Sequence, residues 1–170
     1  MPDKLTLAAL LIALALFGQA CAGSLEQART AYDRRDYATA LRLFRPLAEQ
    51  GNADAQHALG IMYFNGDGIP KNPTEAANWY RLAAEQGNTV AQYSLAYLYV
   101  TGQGVAEDHV QAHKWYDLAI TSAMSVSANS SNDQRGLGLL IGYRDALAAM
   151  MTTAQIAEAE MLAREWKPKR

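Results

Sequence analysis

Two histidines and one glycine-rich loop are the residues of this sequence whose types and spacing come nearest to a chemical site. His109 and His113 are four residues apart, a spacing at which two side chains on one helix face could share a metal ion. No motif places a third ligand, so we predict solvated histidines. The segment Asn65-Gly66-Asp67-Gly68 superficially resembles a calcium loop, but it lacks the acid spacing and the closing glutamate of such loops. We therefore predict a turn that joins two helices.

Residue types used in catalysis are present without the arrangement that catalysis needs. No serine lies in a nucleophile motif, and Gly136, Gly138 and Gly142 follow no predicted strand, as a phosphate-binding loop would. Nothing pairs the glutamates across a defined cleft, so we interpret these as surface acids: Glu49, Glu85 and Glu107. The sequence thus predicts a protein that is not an enzyme, with no catalytic residue, cofactor or metal.

The elements that would carry these residues form a repeat. The stretch Ala48-Glu49-Gln50-Gly51-Asn52 recurs as Ala84-Glu85-Gln86-Gly87-Asn88, and the positions that follow match in kind. The interval is 36 residues, from position 48 to position 84. An interval of this size with helical patterning inside each unit is typical of stacked arrays, in which each unit buries its apolar side against its neighbours.

Each unit is predicted as two short helices, A and B. In the first full unit, helix A runs from about Ala53 to Phe64, with Asn52 as its N-cap and Gly66 beyond its end. Helix B begins with Asn72 as N-cap and Pro73 at the first helical position, where a missing N–H costs nothing. The apolar stripes expected to form the core are Ala55, Leu59, Met62 and Tyr63 on helix A, and Ala76, Trp79, Tyr80 and Ala83 on helix B.

The array is one of four predicted segments. Residues 1–22 are a signal peptide, 23–120 the repeat array, 121–136 a Ser/Asn-rich linker, and 137–170 C-terminal capping helices with a basic tail. Within the array, a partial unit covers 25–51, and full units cover 52–87 and 88–120. The capping helices are predicted from about Leu137 to Met150 and from Ala154 to Trp166, with Thr152 or Thr153 as the cap between them. The basic tail is expected to be solvated.

The N-terminal segment has the order of a secretory signal. Lys4 precedes an apolar run from Leu5 to Phe17, which is too short to span a bilayer, and Ala20-Cys21-Ala22 fits the small-x-small cleavage pattern. We expect the protein to be periplasmic or secreted after cleavage. Cys21 also resembles the acylated residue of bacterial lipoproteins, but Gly18-Gln19-Ala20 departs from the usual box, so cleavage is favoured over lipidation.

Cysteine content limits how the fold can be stabilised. Cys21 is the only cysteine, so no intramolecular disulfide can form and stability must come from packing.

The net charge narrows the choice of partner. At −2 the chain lacks the basic excess on which phosphate binding depends, so nucleic acid is not expected as a partner. We expect a protein or peptide partner and no membrane span.

The consensus of the repeat closely resembles that of a known family. From Ala55 to Gly87 the chain reads Ala-x-x-x-Leu-Gly-x-x-Tyr-x-x-Gly-x-Gly-Ile, then Lys-Asn-Pro-x-x-Ala-x-x-Trp-Tyr-x-x-Ala-Ala-x-Gln-Gly, which resembles the Sel-1-like repeat, a relative of the tetratricopeptide repeat. A second copy, from Ala91 to Ala119, departs at Ala96, where the family has glycine, and at His113. The resemblance implies an all-α fold, a right-handed α-α superhelix of antiparallel helix pairs, with a C-terminal helical cap. It also implies an adaptor in protein complexes.

Helix A carries a second apolar set that the predicted core does not use. We call it the helix-A strip, and its residues are His57, Ile61 and Phe64, followed in the next unit by Tyr93, Tyr97 and Val100. In tetratricopeptide-type arrays the equivalent face lines a concave groove, so the resemblance implies a partner-binding surface here. The alternative is that the strip packs against a neighbouring helix, such as the C-terminal cap folding back.

The function that we predict is an exported, non-catalytic scaffold that binds a peptide or protein on the concave face of its array. The resemblance places it in the periplasm of a Gram-negative bacterium. One alternative is a periplasmic enzyme acting on β-lactam or cell-wall compounds, although the β-lactamase-like relatives are cysteine-rich and this chain is not. Another is a structural subunit of an envelope complex whose tail near Trp166 docks to another subunit.

Overall fold

The computed structural model describes residues 23–126 and 131–169, and in that part of the chain the regular secondary structure is all helical. The predicted signal peptide, residues 1–22, lies outside the described residues. The helices are α1 over residues 23–33, α2 Tyr37–Glu49, α3 Ala53–Asn65, α4 Pro73–Glu85, α5 Thr89–Thr101, α6 His109–Val126, α7 Ser131–Ala148 and α8 Thr153–Glu165. No helix within the described ranges is both long and apolar enough to cross a membrane.

The helix ends are set by the residues that the sequence indicated. Four side chains accept a hydrogen bond from a backbone N–H in the first turn of α3, α4, α5 and α6, namely Asn52, Asn72, Asn88 and Asp108. α3 and α5 end at glycines with positive φ, 87° at Gly66 and 65° at Gly102. Other residues adopt this backbone conformation only with strain, so glycine stops both helices at the same point of the repeat.

The array is built by packing each helix on the next one along the chain. This holds from α2 to α6, and α7 and α8 then both pack against α6. The buried cores lie between the helices, with Leu59 and Met62 of α3 in one and Leu95 and Leu98 of α5 in the other. The prediction of an all-α solenoid of helix pairs with a C-terminal helical cap is therefore confirmed.

Buried glutamines join neighbouring units in a way that the hydrophobic pattern did not indicate. The Gln56 amide donates to the Ala48 carbonyl oxygen at 3.1 Å, and the Gln92 amide donates to the Ala84 carbonyl oxygen at 3.3 Å. Each carbonyl lies in the last turn of the preceding helix B, where the backbone acceptors of a helix have no partner within it. The same carbonyl oxygens also accept from the N–H groups of Gly51 and Gly87, so each glutamine adds a second hydrogen bond, one that links successive units.

The predicted linker is wrong over the residues that the structure describes. α6 continues to Val126 and α7 already begins at Ser131, while residues 127–130 lie outside the described part. Hydroxyl groups explain why this composition is compatible with a helix: Thr121 donates to the Asp117 carbonyl oxygen at 2.8 Å, within the same helix. The Ser122 hydroxyl also donates to the buried Gln92 side chain at 3.3 Å, which ties this part of α6 to α5. Serine and threonine hydroxyls can thus be satisfied by hydrogen bonds within or beside a helix.

The C-terminal tail is solvent-exposed, as predicted, but Lys169 also attaches it to the array. The backbone N–H of Lys169 donates to the Glu85 carbonyl oxygen at 2.7 Å, and its ammonium lies 2.7 Å from the Glu85 carboxylate. The ring of Trp166 meets that of Trp115 edge to face, with centroids 6.3 Å apart. Glu85 is the last residue of α4. The backbone carbonyls at the C-terminus of a helix lack partners within the helix and attract a cation, so Lys169 can bind there.

Candidate functional site

Two cavities lie beside α3 and α5, the A helices of the two full units. The first cavity, of about 260 Å³, is lined by Arg29, Tyr32, Asp33, Phe44, Asp54, His57, Ala58, Ile61, Asn88 and Val90. The second cavity, of about 200 Å³, is lined by Phe64, Tyr80, Tyr93, Ser94, Tyr97 and Leu98. α1 supplies one wall of the first cavity, and α4 supplies one residue of the second.

The structure divides the helix-A strip between these cavities. His57 and Ile61 line the first cavity. Three further residues of the strip line the second, namely Phe64, Tyr93 and Tyr97. Val100 lines neither of them and packs against the core of the second unit. Tyr97 is the most open of the six, with 40 % of its surface exposed, while the others are half-buried. That these residues bind a partner stays a prediction.

The first cavity is polar at its rim. The Arg29 guanidinium lies 2.8 Å from the Asp54 carboxylate, which also accepts a hydrogen bond from the Asn88 amide at 2.9 Å. Burial lowers the pKa of His57 below its usual range, although Asp54 opposes the shift. His57 is therefore uncharged at neutral pH. Asp33 is the second carboxylate that lines this cavity, and its side chain is exposed.

The second cavity is aromatic. The rings of Phe64 and Tyr97 meet edge to face with centroids 6.3 Å apart. Burial raises the pKa of Tyr80 above its usual range, and burial together with the neighbouring Tyr143 raises the pKa of Tyr93. These phenols stay neutral at physiological pH, so the lining of the second cavity is apolar rings with hydroxyl groups at their edges.

The C-terminal cap covers one end of the strip, as the alternative interpretation expected. Tyr143 of α7 lies with its ring 5.9 Å from that of Tyr93 and stacks at 6.4 Å on Tyr116. Tyr143 still exposes 47 % of its surface, and it stands on the same side as the open Tyr97. The strip is thus partly packed and partly open, with the open part at the second cavity.

The histidines do not form a metal site. His109 pairs with Glu107, its Nε2 3.1 Å from the carboxylate. His113 is only 3 % exposed, so the prediction that it is solvated is wrong. Its Nδ1 lies 3.1 Å from the Asp117 carboxylate, outside hydrogen-bonding geometry. Across residues 23–126 and 131–169, no three acids, histidines or cysteines come close enough to hold a metal ion.

Register explains the burial of His113. The equivalent position in the first unit is Ala77, which is also buried, so the helix turns this position inward whatever residue occupies it. Spacing between two histidines says nothing about which way the helix faces. Aligning position 113 with position 77 would have indicated burial.

Several residues of the two cavities lay outside the predicted strip. Arg29, Tyr32 and Asp33 belong to α1, where the repeat is too degenerate to align with the full units. Tyr80 was assigned to the core, and the structure shows that it is both buried and part of the second cavity. A residue that lies between two helices can pack in the core with one part of its side chain and line a cavity with another.

Stacked helix pairs with caps and terminal glycines at equivalent positions define a helical-repeat solenoid protein. The chain belongs to the Sel1 repeat family, whose model matches residues 31–52, 53–88 and 89–123, together more than half of the chain. Sel1 repeats generally mediate protein–protein interaction, and their fold is generally a non-catalytic scaffold.

Two solved structures are similar to this chain. One is a protective antigen of uropathogenic Escherichia coli strains that displays an SLR fold, 28 % identical with a TM-score of 0.71 over 86 % of this chain. The other is a Sel1 repeat protein from Oxalobacter formigenes, 32 % identical with a TM-score of 0.54 over 60 % of this chain. The chain spans 29 % of the first and 43 % of the second, less than half of either. No curated protein matches it significantly.

Proposed function

We propose that this protein is an exported, non-catalytic scaffold that holds a peptide or protein segment along the helix-A strip, on the concave face of its array. One observation supports this most strongly. Tyr97, which lines the second cavity, is 40 % exposed, and Tyr143, whose ring contacts the lining residue Tyr93, is 47 % exposed. Exposed tyrosines next to a cavity are typical of the few anchoring residues that carry most of the energy of a protein interface.

The size of the two cavities beside the strip favours a peptide over a small substrate at this surface; a larger cavity, of about 610 Å³, is lined by residues of α6, α7 and α8 and by Trp166, and no strip residue lines it. Sites for small molecules commonly have volumes of about 300–1,000 Å³ and enclose most of their ligand. The two cavities measure about 260 Å³ and 200 Å³ and are open. Each therefore suits one side chain, and two such cavities beside successive A helices suit a chain that runs across both.

Export and the absence of catalysis are parts of the same proposal. The charged start, short apolar run and small residues of positions 1–22 support export to the periplasm or beyond. The cavity linings contain no serine or cysteine within a nucleophile–base pair among the described residues, which supports a scaffold.

Crosslinking in intact cells tests the proposal directly. A photoreactive amino acid in place of Tyr97 should form an adduct with a partner protein that mass spectrometry can identify. The same amino acid in place of Leu82 is a matched control, because Leu82 is similarly exposed, at 45 %, but lies on helix B and lines neither cavity. Adducts only from position 82, or equally from both, would contradict binding along the strip. Hydrolysis of a chromogenic β-lactam by the purified chain would contradict the non-catalytic part.

A further inference from the structure

We propose that the second cavity receives the cationic end of a lysine or arginine side chain carried by the partner peptide. This inference rests on the proposed function and specifies the chemistry of the bound segment. It follows from the composition of the cavity wall, from the contacts that cations already make within this chain, and from the charges at the neighbouring cavity.

Aromatic rings make most of the wall of the second cavity. Four of its six lining residues are aromatic, namely Phe64, Tyr80, Tyr93 and Tyr97. A cation within about 6 Å of an aromatic ring centroid is attracted by the negative face of the ring, and groups of such rings recognise ammonium ions. The hydroxyl group of Ser94 adds an acceptor for an N–H of the ligand.

The protein already places its own cations on aromatic rings. The ammonium of Lys71 lies 5.3 Å from the centroid of Phe64, a ring that also lines the second cavity. The ammonium of Lys114 lies 4.5 Å from the centroid of Trp115 in the next unit. The first contact shows that the Phe64 ring holds an ammonium group 5.3 Å from its centroid. Lys71 is exposed and does not line the cavity, and it would compete with a partner's cation for this ring.

The charges at the first cavity favour the same ligand. Its lining contains two carboxylates, Asp33 and Asp54, against one guanidinium, Arg29. His57 adds no charge at neutral pH, because burial lowers its pKa. A basic segment that runs across both cavities therefore meets a negative excess at one and aromatic rings at the other. An acidic segment would be repelled at the first cavity and gain nothing at the second.

Two matched tripeptides test the inference on the purified chain. The probes are acetyl-Gly-Lys-Gly-amide and acetyl-Gly-norleucine-Gly-amide, whose central side chains have similar length but differ in charge. Binding is followed by the NMR shifts of the backbone amides of Ser94, Tyr97 and Leu98 during titration. We expect the lysine peptide to bind about two- to fivefold more tightly than the norleucine peptide, as a partly exposed cation–aromatic contact implies.

Three variants separate a cation site from an apolar one. Tyr97→Leu should reduce the affinity for the lysine peptide to that for the norleucine peptide, whereas Tyr97→Phe, which keeps the ring, should preserve the difference. Lys71→Gln should raise the affinity for the lysine peptide and leave that for the norleucine peptide unchanged, because it removes a competing cation. Tyr97 and Lys71 are both exposed, so these variants should fold, and their unfolding temperatures provide the check.

The outcomes distinguish this inference from the proposed function. If the norleucine peptide shifts the same amides with equal or higher affinity, the cavity takes an apolar anchor; the inference then fails and the peptide-binding strip stands. Unchanged lysine binding by Tyr97→Leu also overturns the inference. If neither peptide shifts these amides and crosslinks form only away from the strip, both proposals fail.

Discussion

The two full repeat units are joined to the unit before them by the same hydrogen bond, but their surroundings differ. Arg45 of the partial unit donates to the Tyr63 hydroxyl of the first full unit at 3.4 Å, and Arg81 of the first full unit donates to the Tyr99 hydroxyl of the second at the same distance. Their outer faces differ, because Leu82 is 45 % exposed while its equivalent, Leu118, is 6 % exposed. The second unit carries α7 and α8 on α6, whereas the first receives only the C-terminal tail at the end of α4. A repeat thus determines its own pairing of helices, and its neighbours decide which of its residues stay open.

The aromatic pairs show the same contrast on the other face. His57 contacts Tyr80 at 5.6 Å in the first unit, and Tyr93 contacts Tyr116 at 6.1 Å in the second. In the part of the chain that the structure describes, a third ring, that of Tyr143, joins the second pair and not the first. In the first pair, His57 lines the first cavity and Tyr80 lines the second, so the two pairs have different surroundings.

The largest effect should come from the buried leucines that the two units share. Leu59 and Leu95 are fully buried, so Leu59→Ala and Leu95→Ala should each cost about 2–5 kcal/mol of unfolding free energy through lost burial and a residual cavity. Urea denaturation of the purified variants measures this. If only one of the two substitutions were costly, the view that both units are held by equivalent cores would be wrong.

The affinity for the partner protein should depend on Tyr97 of helix A and not on Leu82, a similarly exposed residue of helix B. Tyr97→Ala should cost on the order of 2 kcal/mol of affinity for the crosslinked partner, as for an interface anchor, and about 0.5–1.5 kcal/mol of stability through the lost pair with Phe64. Leu82→Ala is the control, and it should leave the affinity unchanged. Calorimetric titration of the purified partner compares them, and equal losses would show that the strip has no special role.

Tyr93 should behave differently from Tyr97 in the same assay. Its ring contacts both Tyr116 and Tyr143, so Tyr93→Ala should also destabilise the fold, by about 0.5–1.5 kcal/mol for each aromatic pair lost. Thermal and urea unfolding of the two single variants separate these roles. A Tyr93→Ala protein as stable as the Tyr97→Ala protein would mean that the C-terminal cap does not depend on this cluster.

The close contact between helices of the first unit predicts a smaller effect. A side chain at Gly60 would meet the ring of buried Tyr80, whereas the second unit already has Ala96 at the equivalent position. Overpacking costs about 1–3 kcal/mol, which exceeds the roughly 1 kcal/mol by which alanine favours a helix over glycine. Gly60→Ala should therefore lower the unfolding free energy by about 1 kcal/mol. A gain in stability would show that Tyr80 can move aside as freely as its counterpart.

The smallest effect should be a pH dependence that arises from His57 of the first unit. Burial lowers the pKa of His57 in the folded protein, so the unfolded chain binds a proton at this residue more readily. Stability should be full above the unfolded pKa of about 6.5 and fall as the pH drops through the lowered folded pKa. His57→Tyr, which introduces the residue found at the equivalent position 93 of the second unit, should remove the part of the pH dependence of stability that comes from His57. Urea midpoints at pH 7.5 and pH 5 compare the variant with the parent, and identical shifts would refute the assignment.

The repeat itself could be predicted from the sequence because its signals are local. Asn52 and Asn72 cap helices that begin at the next residue, and Gly66 ends one, so each boundary follows from residues adjacent to it. The buried face of helix A followed from its 3.6-residue period, and Leu59 and Met62 are indeed in the core. Local chemistry and regular spacing are enough for elements that repeat.

What the C-terminal part contacts could not be predicted, because those contacts join residues far apart in the chain. Nothing near Lys169 indicates that it reaches Glu85, and nothing near Tyr143 indicates that it stacks on Tyr116. The helical segment 121–126 likewise includes a distant contact, because the Ser122 hydroxyl donates to the Gln92 side chain of the second unit at 3.3 Å. For the same reason the sequence did not predict the full lining of the candidate site. Residues of α1 form one wall of the first cavity, and α7 covers one end of the helix-A strip.

The glutamine that joins successive units makes their junction transferable. Gln86 donates to Gln56, which in turn donates to Ala48, and Ser122 and Gln92 form the corresponding chain to Ala84. The last helix of one unit thus supplies the carbonyl acceptor, and the first helix of the following unit supplies the glutamine donor. A longer protein made by duplicating residues 53–88 should therefore keep this glutamine–carbonyl hydrogen bond at both new seams.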